Sequence, residues 1–238
     1  MYVADRQISV RLGQSFWSRG PSLSAHFTAK DFRSLQPVTG WNQDDYSSVM
    51  HATIELTHIL HNAHAILYSS KDRTLSMVRN GDYARYIDDF RISASAWHSR
   101  WGDIPVSCKI KDSLFLLYEY LCLYVNIFSF QAVMTRTSSS YRTPDGEQIA
   151  ETPLVKPFAR GIMSTPDGRY VLDAITAALN TLEILRRLDT RDELRYLPSR
   201  YYLLAPQTER YNALAPHTVP PPPYSYRSAI SCAEPQPC

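Results

Sequence analysis

The chain has 238 residues, with 44% hydrophobic and 20% charged residues, enough apolar content to build a core and too much for a disordered chain. Its 25 basic residues against 23 acidic ones leave a formal charge of +2, which argues against a broad phosphate-binding surface. Only 8 glycines are present, which disfavours Gly-rich phosphate loops and with them the Rossmann, P-loop and β-sandwich classes.

The four cysteines, Cys108, Cys122, Cys232 and Cys238, form no C-x-x-C pair, so no closed four-cysteine zinc site is written here. Their wide spacing suggests a reducing intracellular compartment. Met1 to Gly20 contain no apolar run, so no signal peptide is expected.

Val3, Ile8, Val10 and Leu12, broken by Asp5, Arg6 and Arg11, suggest a short amphipathic helix ended by Gly13. Phe16 and Trp17 follow, an aromatic pair expected to dock on the core. The first long helix is predicted over about Asp45 to Tyr68. Its apolar face is Val49, Ala52, Leu56, Ile59, Leu60, Ala63 and Leu67, recurring at steps of three and four. A shorter helix is expected from Lys71 to Arg79, capped by Ser69 and stopped by Asn80-Gly81. Asp82 is placed to cap the next helix, where Tyr83, Ile87, Phe90, Ala94, Trp97 and Trp101 form an aromatic seam.

The most apolar stretch begins near Lys109, and Tyr120 to Thr135 carries no formal charge. Glu119, Asn126, Ser129 and Gln131 interrupt it, which favours a helix buried within an all-α domain over a membrane span. Arg136 and the serines at 138 to 140 are expected to end it. A Pro-rich connection from Thr143 to Thr165 precedes another helix, Asp167 to Arg187. Its expected apolar face is Val171, Leu172, Ile175, Ala178, Leu179, Leu182 and Leu185. Thr190 and Glu193 have capping-box spacing for one more short helix. Beyond Ala205 the prolines at 206, 216, 220 to 223, 235 and 237 mark a tail expected to be disordered. The domain division is therefore 1–204 helical and 205–238 tail.

Four groups of residues carry side chains that could bear chemistry. His51, His58, His61 and His64 crowd one helix, yet on a helical wheel they spread over the polar side, with Glu55 nearer the apolar edge, and do not converge on a metal. Asp44-Asp45 and Asp88-Asp89 are adjacent pairs that do not face each other on a helix, so they read as solvated or capping charges. Cys122 reads as an inert, buried thiol. Pro221-Pro222-Pro223-Tyr224 has the form of a polyproline ligand for a WW domain, a pattern that also arises readily by chance. No catalytic, cofactor-binding or metal-ligating residue is expected in this chain.

Asp5-Arg6-Gln7-Ile8-Ser9-Val10-Arg11-Leu12-Gly13-Gln14 resembles the D-R-x-I-S-x-R-L-G segment of the fungal-specific transcription factor regulatory domain. Trp97-His98-Ser99-Arg100-Trp101 resembles that family's paired-Trp helix. Leu117 to Asn126, continuing Phe128-Ser129-Phe130-Gln131, resembles its Tyr-rich central helix. The resemblance extends over about residues 1 to 204. Asn80 to Tyr86 and Leu182 to Asp189 are similar to the subgroup that activates secreted-protease genes in filamentous fungi.

The resemblance implies an all-α, irregular multi-helix regulatory domain, incomplete at both ends, in a nuclear activator that carries a six-cysteine zinc cluster. Zinc and promoter DNA would then be bound by that cluster module, which is not written in this chain. The further partners it implies are transcription machinery or regulator proteins and a homodimer, with no membrane and no enzymatic activity. Two departures stand out. The cluster would lie before Met1, and the family's later apolar helices are replaced here by the Pro-rich tail, as an altered reading frame, a retained intron or a truncated gene would produce. The alternative is a stand-alone helical interaction module without DNA binding.

Overall fold

The computed structural model describes residues 2–12, 16–18, 44–140 and 165–197. Within them the fold is all-α, with no strand: α1 Tyr2–Leu12, α2 Tyr46–Leu67, α3 Lys71–Asn80, α4 Tyr83–Trp101, α5 Cys108–Ser140 and α6 Gly168–Thr190, then a short 3-10 turn, Leu194–Tyr196. The expected connection up to residue 164, the boundary at 205 and the Pro-rich tail with its P-P-x-Y run lie outside the described residues.

The helix ends follow from local chemistry. Asp45 caps α2, its carboxylate accepting from the amides of Ser47 and Ser48 at 3.1 Å each. Asp44 reaches the N-terminus of α5 instead, accepting from the Ser107 amide and from its Oγ at 3.0 Å. The cap of α3 is Ser70 and not the expected Ser69. Ser70 is extended (φ −158°, ψ 154°) and its Oγ accepts from the Arg73 amide, the geometry an N-cap requires. Gly81 ends α3 at φ 78°. Asp82 does not cap α4: it already has helical angles (φ −63°, ψ −19°), which keep its side chain from the first-turn amides.

α5 is the axis. Leu116, Leu121 and Phe128 are fully buried, and α2, α3, α4 and α6 all pack on it. Cys108–Arg136 is long and apolar enough to cross a membrane by length and composition, but 78% of its most apolar window is buried inside the structure. Neighbouring helices thus supply the apolar surroundings that this sequence demands. α5 extends to Ser140, the last of the serines expected to end it. Arg136 does not terminate it; the guanidinium binds Asp167 and donates to Tyr83 Oη at 2.7 Å, locking α5 to the start of α6 and to α4.

α6 runs antiparallel to α5. Arg136 pairs with Asp167 at one end, Asn180 meets Glu119 midway, and Arg187 and Arg191 hold Asp112 at the other. Its buried face is Tyr170, Val171, Ala174, Ala177, Ala178, Thr181, Ile184 and Leu188, so Val171 and Ala178 are buried as expected while the rest of the face is shifted by about one residue. Leu179 is exposed, and Leu172, Ile175, Leu182 and Leu185 are only half-buried. The small side chains at 174, 177, 178 and 181 let α6 lie close against α5, and that approach outweighs the larger hydrophobes on its flanks. No capping box forms at the next turn. Thr190 Oγ1 bonds back to the Arg186 carbonyl, and Glu193 pairs with Arg191.

On α2 the expected face is buried at Ala52, Leu56, Leu60, Ala63 and Leu67, while Val49 and Ile59 sit at its margin. On α4 the seam is buried from Tyr83 to Trp97, and Trp101 is half-buried with Nε1 donating to Glu55 at 2.8 Å. α1 is clipped to residues 16–18. Asp5 accepts from the Ser18 amide, the Ser18 hydroxyl and the Trp17 amide at 2.9, 2.7 and 3.1 Å. Arg6 lies between the rings of Tyr2 and Phe16 and donates to the Ser18 carbonyl at 2.6 Å. Phe16 is thereby docked on the core, as its composition suggested, whereas Trp17 is 91% exposed.

Candidate functional site

α4, α5 and α6 enclose a cleft of about 240 Å³. Phe90 and Ala94 of α4, Leu121 and Val125 of α5 and Ala177 of α6 supply apolar wall. Into that wall are set Glu119, Cys122 and Asn126 of α5, Asp173, Thr176 and Asn180 of α6, and Arg91 of α4. Glu119 and Asn126 are seven residues apart, two helical turns, so both face the cleft, separated by about 10 Å along the axis.

Glu119 is 6% exposed, and Asn180 Nδ2 donates to its Oε1 at 3.1 Å. Burial raises its pKa to about 8, against the lowering effect of that bond. The carboxyl is therefore mostly protonated at neutral pH. Asn126, 3% exposed, donates from Nδ2 to the Cys122 carbonyl at 2.8 Å. That bond fixes which end of the amide is nitrogen, because the carbonyl can only accept. Oδ1 is left buried and without a partner, an arrangement that is costly unless something else satisfies it. Arg91 is occupied by Asp88 and Asp173. Cys122 lines the cleft rather than lying wholly inside the core, and burial followed by the nearby Glu119 charge pushes its thiol well above the ordinary range.

The histidines of α2 engage different neighbours. His51 Nε2 meets Glu55 Oε1 at 3.2 Å and packs on Trp101, while His58 packs on Tyr2 and His61 on Phe16. His64 Nδ1 bonds Tyr124 Oη at 2.7 Å. Burial lowers the pKa of His61 and His64. Glu55, set aside as too near the apolar edge, gathers His51, Arg100 and Trp101 around it. Asp88 of the second acidic pair binds Arg91, Arg169 and the Tyr170 hydroxyl. Among the described residues no cluster of three or more His, Cys, Asp or Glu is arranged to hold a metal ion.

In the sequence Glu119 and Asn126 read only as interruptions of an apolar run. The signal present was their spacing: one acid and one amide on a single face of an otherwise apolar helix. Their partners Asn180, Asp173 and Arg91 come from other helices and carry no local pattern.

No family model matches the chain, and neither a curated protein nor a solved structure does.

Proposed function

We propose that this chain is the regulatory, non-DNA-contacting part of a fungal zinc-cluster transcription factor, acting in the nucleus on RNA polymerase II transcription. The observation that carries this reading is the order of three segments similar to that family's regulatory domain: Asp5–Gln14, Trp97–Trp101 and Leu117–Gln131. Their places in the fold support it. Val10, Trp97, Leu117, Tyr118 and Phe128 belong to one buried cluster, so each of the three similar segments contributes to the packing. Asp5 and Arg6 clip α1 to the chain that follows it. A shared core is the kind of similarity that a common fold produces.

The similarity of Asn80–Tyr86 and Leu182–Asp189 to PrtT-type activators extends the proposal to genes of secreted proteases and protein utilisation. In this role the chain works by contacting regulators, the transcription machinery or a second copy of itself, and promoter contact falls to the zinc-cluster module. The role is not enzymatic.

The test is a fusion of the full chain to a heterologous DNA-binding module in a fungal host, with a reporter gene behind its site. A nitrogen- or protein-dependent change in reporter output is expected. Output identical to that of the DNA-binding module alone under all nutrient conditions would overturn the proposal. Genomic sequence upstream of Met1 gives an independent check: an in-frame six-cysteine cluster is expected there.

A further inference from the structure

We propose that the cleft between α4, α5 and α6 is a binding site for a small amphipathic amine. Its ammonium sits at Glu119, a hydroxyl or N–H donor sits at Asn126 Oδ1, and an apolar body lies between them. This inference stands on the chemistry of the cleft and does not depend on the transcriptional role.

Three observations select that ligand. First, the amide oxygen of Asn126 can only accept and has no bond, and the Glu119 carboxyl, once ionised, is likewise an acceptor with one bond, from Asn180. Among the described lining residues the one guanidinium, Arg91, is already held by Asp88 and Asp173, so an anion finds no free counter-charge there. Second, the two acceptors are about 10 Å apart along α5, with Phe90, Ala94 and Ala177 walling the space between. The occupant is therefore elongated, polar at both ends and apolar in the middle. Third, a cavity of about 150 Å³ takes benzene, so about 240 Å³ takes roughly ten non-hydrogen atoms.

Ionised Glu119 is the form that pairs with a cation, and burial keeps it protonated until about pH 8. The other titratable groups around it are Cys122 and Tyr118 on α5, Asp173 on α6, and Arg91 and His98 on α4. Cys122 stays a thiol in this range, Asp173 is paired with Arg91, and burial lowers the His98 pKa, leaving its ring neutral. Glu119 alone changes charge between pH 6.5 and 8.5, so amine affinity rises over that interval.

The experiment is calorimetric titration of the full chain with three probes of nearly equal size. Tyramine has both polar ends, phenethylamine lacks the hydroxyl, and 4-(2-hydroxyethyl)phenol lacks the charge. Tyramine is expected to bind with one site per chain, roughly tenfold more tightly at pH 8.5 than at 6.5, and each of the other probes at least tenfold more weakly. Glu119→Gln should abolish the preference for tyramine over the neutral phenol while the helical circular dichroism is unchanged. Ala177→Leu, which fills the cleft, should remove all binding. Heat from none of the probes, equal affinity for all three, or undiminished tyramine binding in Glu119→Gln would each overturn the assignment.

Discussion

Trp97 Nε1 donates a hydrogen bond to the main-chain carbonyl of Ala52 at 2.8 Å, joining α4 to α2 inside the core. The bond is possible because residue 52 is alanine, fully buried, so the indole reaches the backbone. The same indole stacks on Tyr118 of α5, with ring centroids 5.5 Å apart and an interplanar angle of 15°. One side chain thus ties three helices together. Trp97→Phe keeps most of the packing and leaves the Ala52 carbonyl with one bond fewer, and is expected to cost about 1–2 kcal/mol. Trp97→Ala also opens a cavity and is expected to cost about 3–5 kcal/mol. Urea denaturation followed by helical circular dichroism measures both, and a Trp97→Phe variant as stable as the wild type would show that the bond contributes nothing.

Asp112 is 2% exposed and is shared by Arg187 of α6 and Arg191 just beyond its end. Removing the carboxylate strands the half-buried Arg187 guanidinium, whose Nε already has no partner, and leaves the more exposed Arg191 with Glu193 alone. Asp112→Ala is expected to lose about 3–5 kcal/mol, as for other buried pairs broken on one side. Asp112→Leu combined with Arg187→Met should recover part of that loss, since an apolar pair of similar volume avoids the desolvation cost. A double variant no more stable than Asp112→Ala would show that the network is held by shape and not by charge. The shift would be read from the midpoint of urea unfolding.

Periodicity made α2 and α4 legible, because their large apolar residues recur on the side that is buried. It misphased α6 because that helix buries alanines and Thr181 against α5 and leaves Leu179 outside. Hydrophobicity ranks leucine above alanine, but close helix approach depends on small size. Caps were less legible still. Ser69 and Ser70 are chemically identical, and only the backbone angles single out Ser70. The cleft was not legible as a site, since it needs three helices to bring Arg91, Glu119 and Asn180 together.

Gly81 holds φ 78° at the end of α3, and a Cβ there would meet nothing within 4 Å. Any cost of substitution is therefore conformational and not steric crowding by neighbours. Gly81→Ala is expected to destabilise the fold by about 1 kcal/mol, and Gly81→Asn by less, because asparagine tolerates the left-handed region better. Chemical denaturation of the two variants side by side checks the order. Alanine as stable as glycine would mean that the α3–α4 corner can re-form with another turn.

The dependence of stability on pH should carry the mark of Glu119. Its folded pKa is about 8 against an ordinary 4.5, so between these values the native state holds a proton that the unfolded chain has released. Stability from this group is fully present below pH 4.5, falls as pH rises through the window, and levels off above about pH 8. Other groups have the opposite sign. Burial lowers the pKa of His61, His64 and His98, in His61 with help from the charges of Arg6 and the neighbouring histidines, so their contribution is lost as pH falls below 6.5. Asp5, held near 2 first by the Ser18 amide and hydroxyl, loses its contribution below 3.8. These slopes are common to the wild type and Glu119→Gln, so the difference between the two isolates Glu119. The glutamine variant is expected to match the wild type near pH 5 and to exceed it progressively up to pH 8.5, because a neutral amide never has to ionise in the cleft. Urea unfolding of both proteins from pH 5 to 8.5 measures that difference. A constant gap across the range would show that the carboxyl is already ionised at pH 5, held by a partner other than the amide of Asn180.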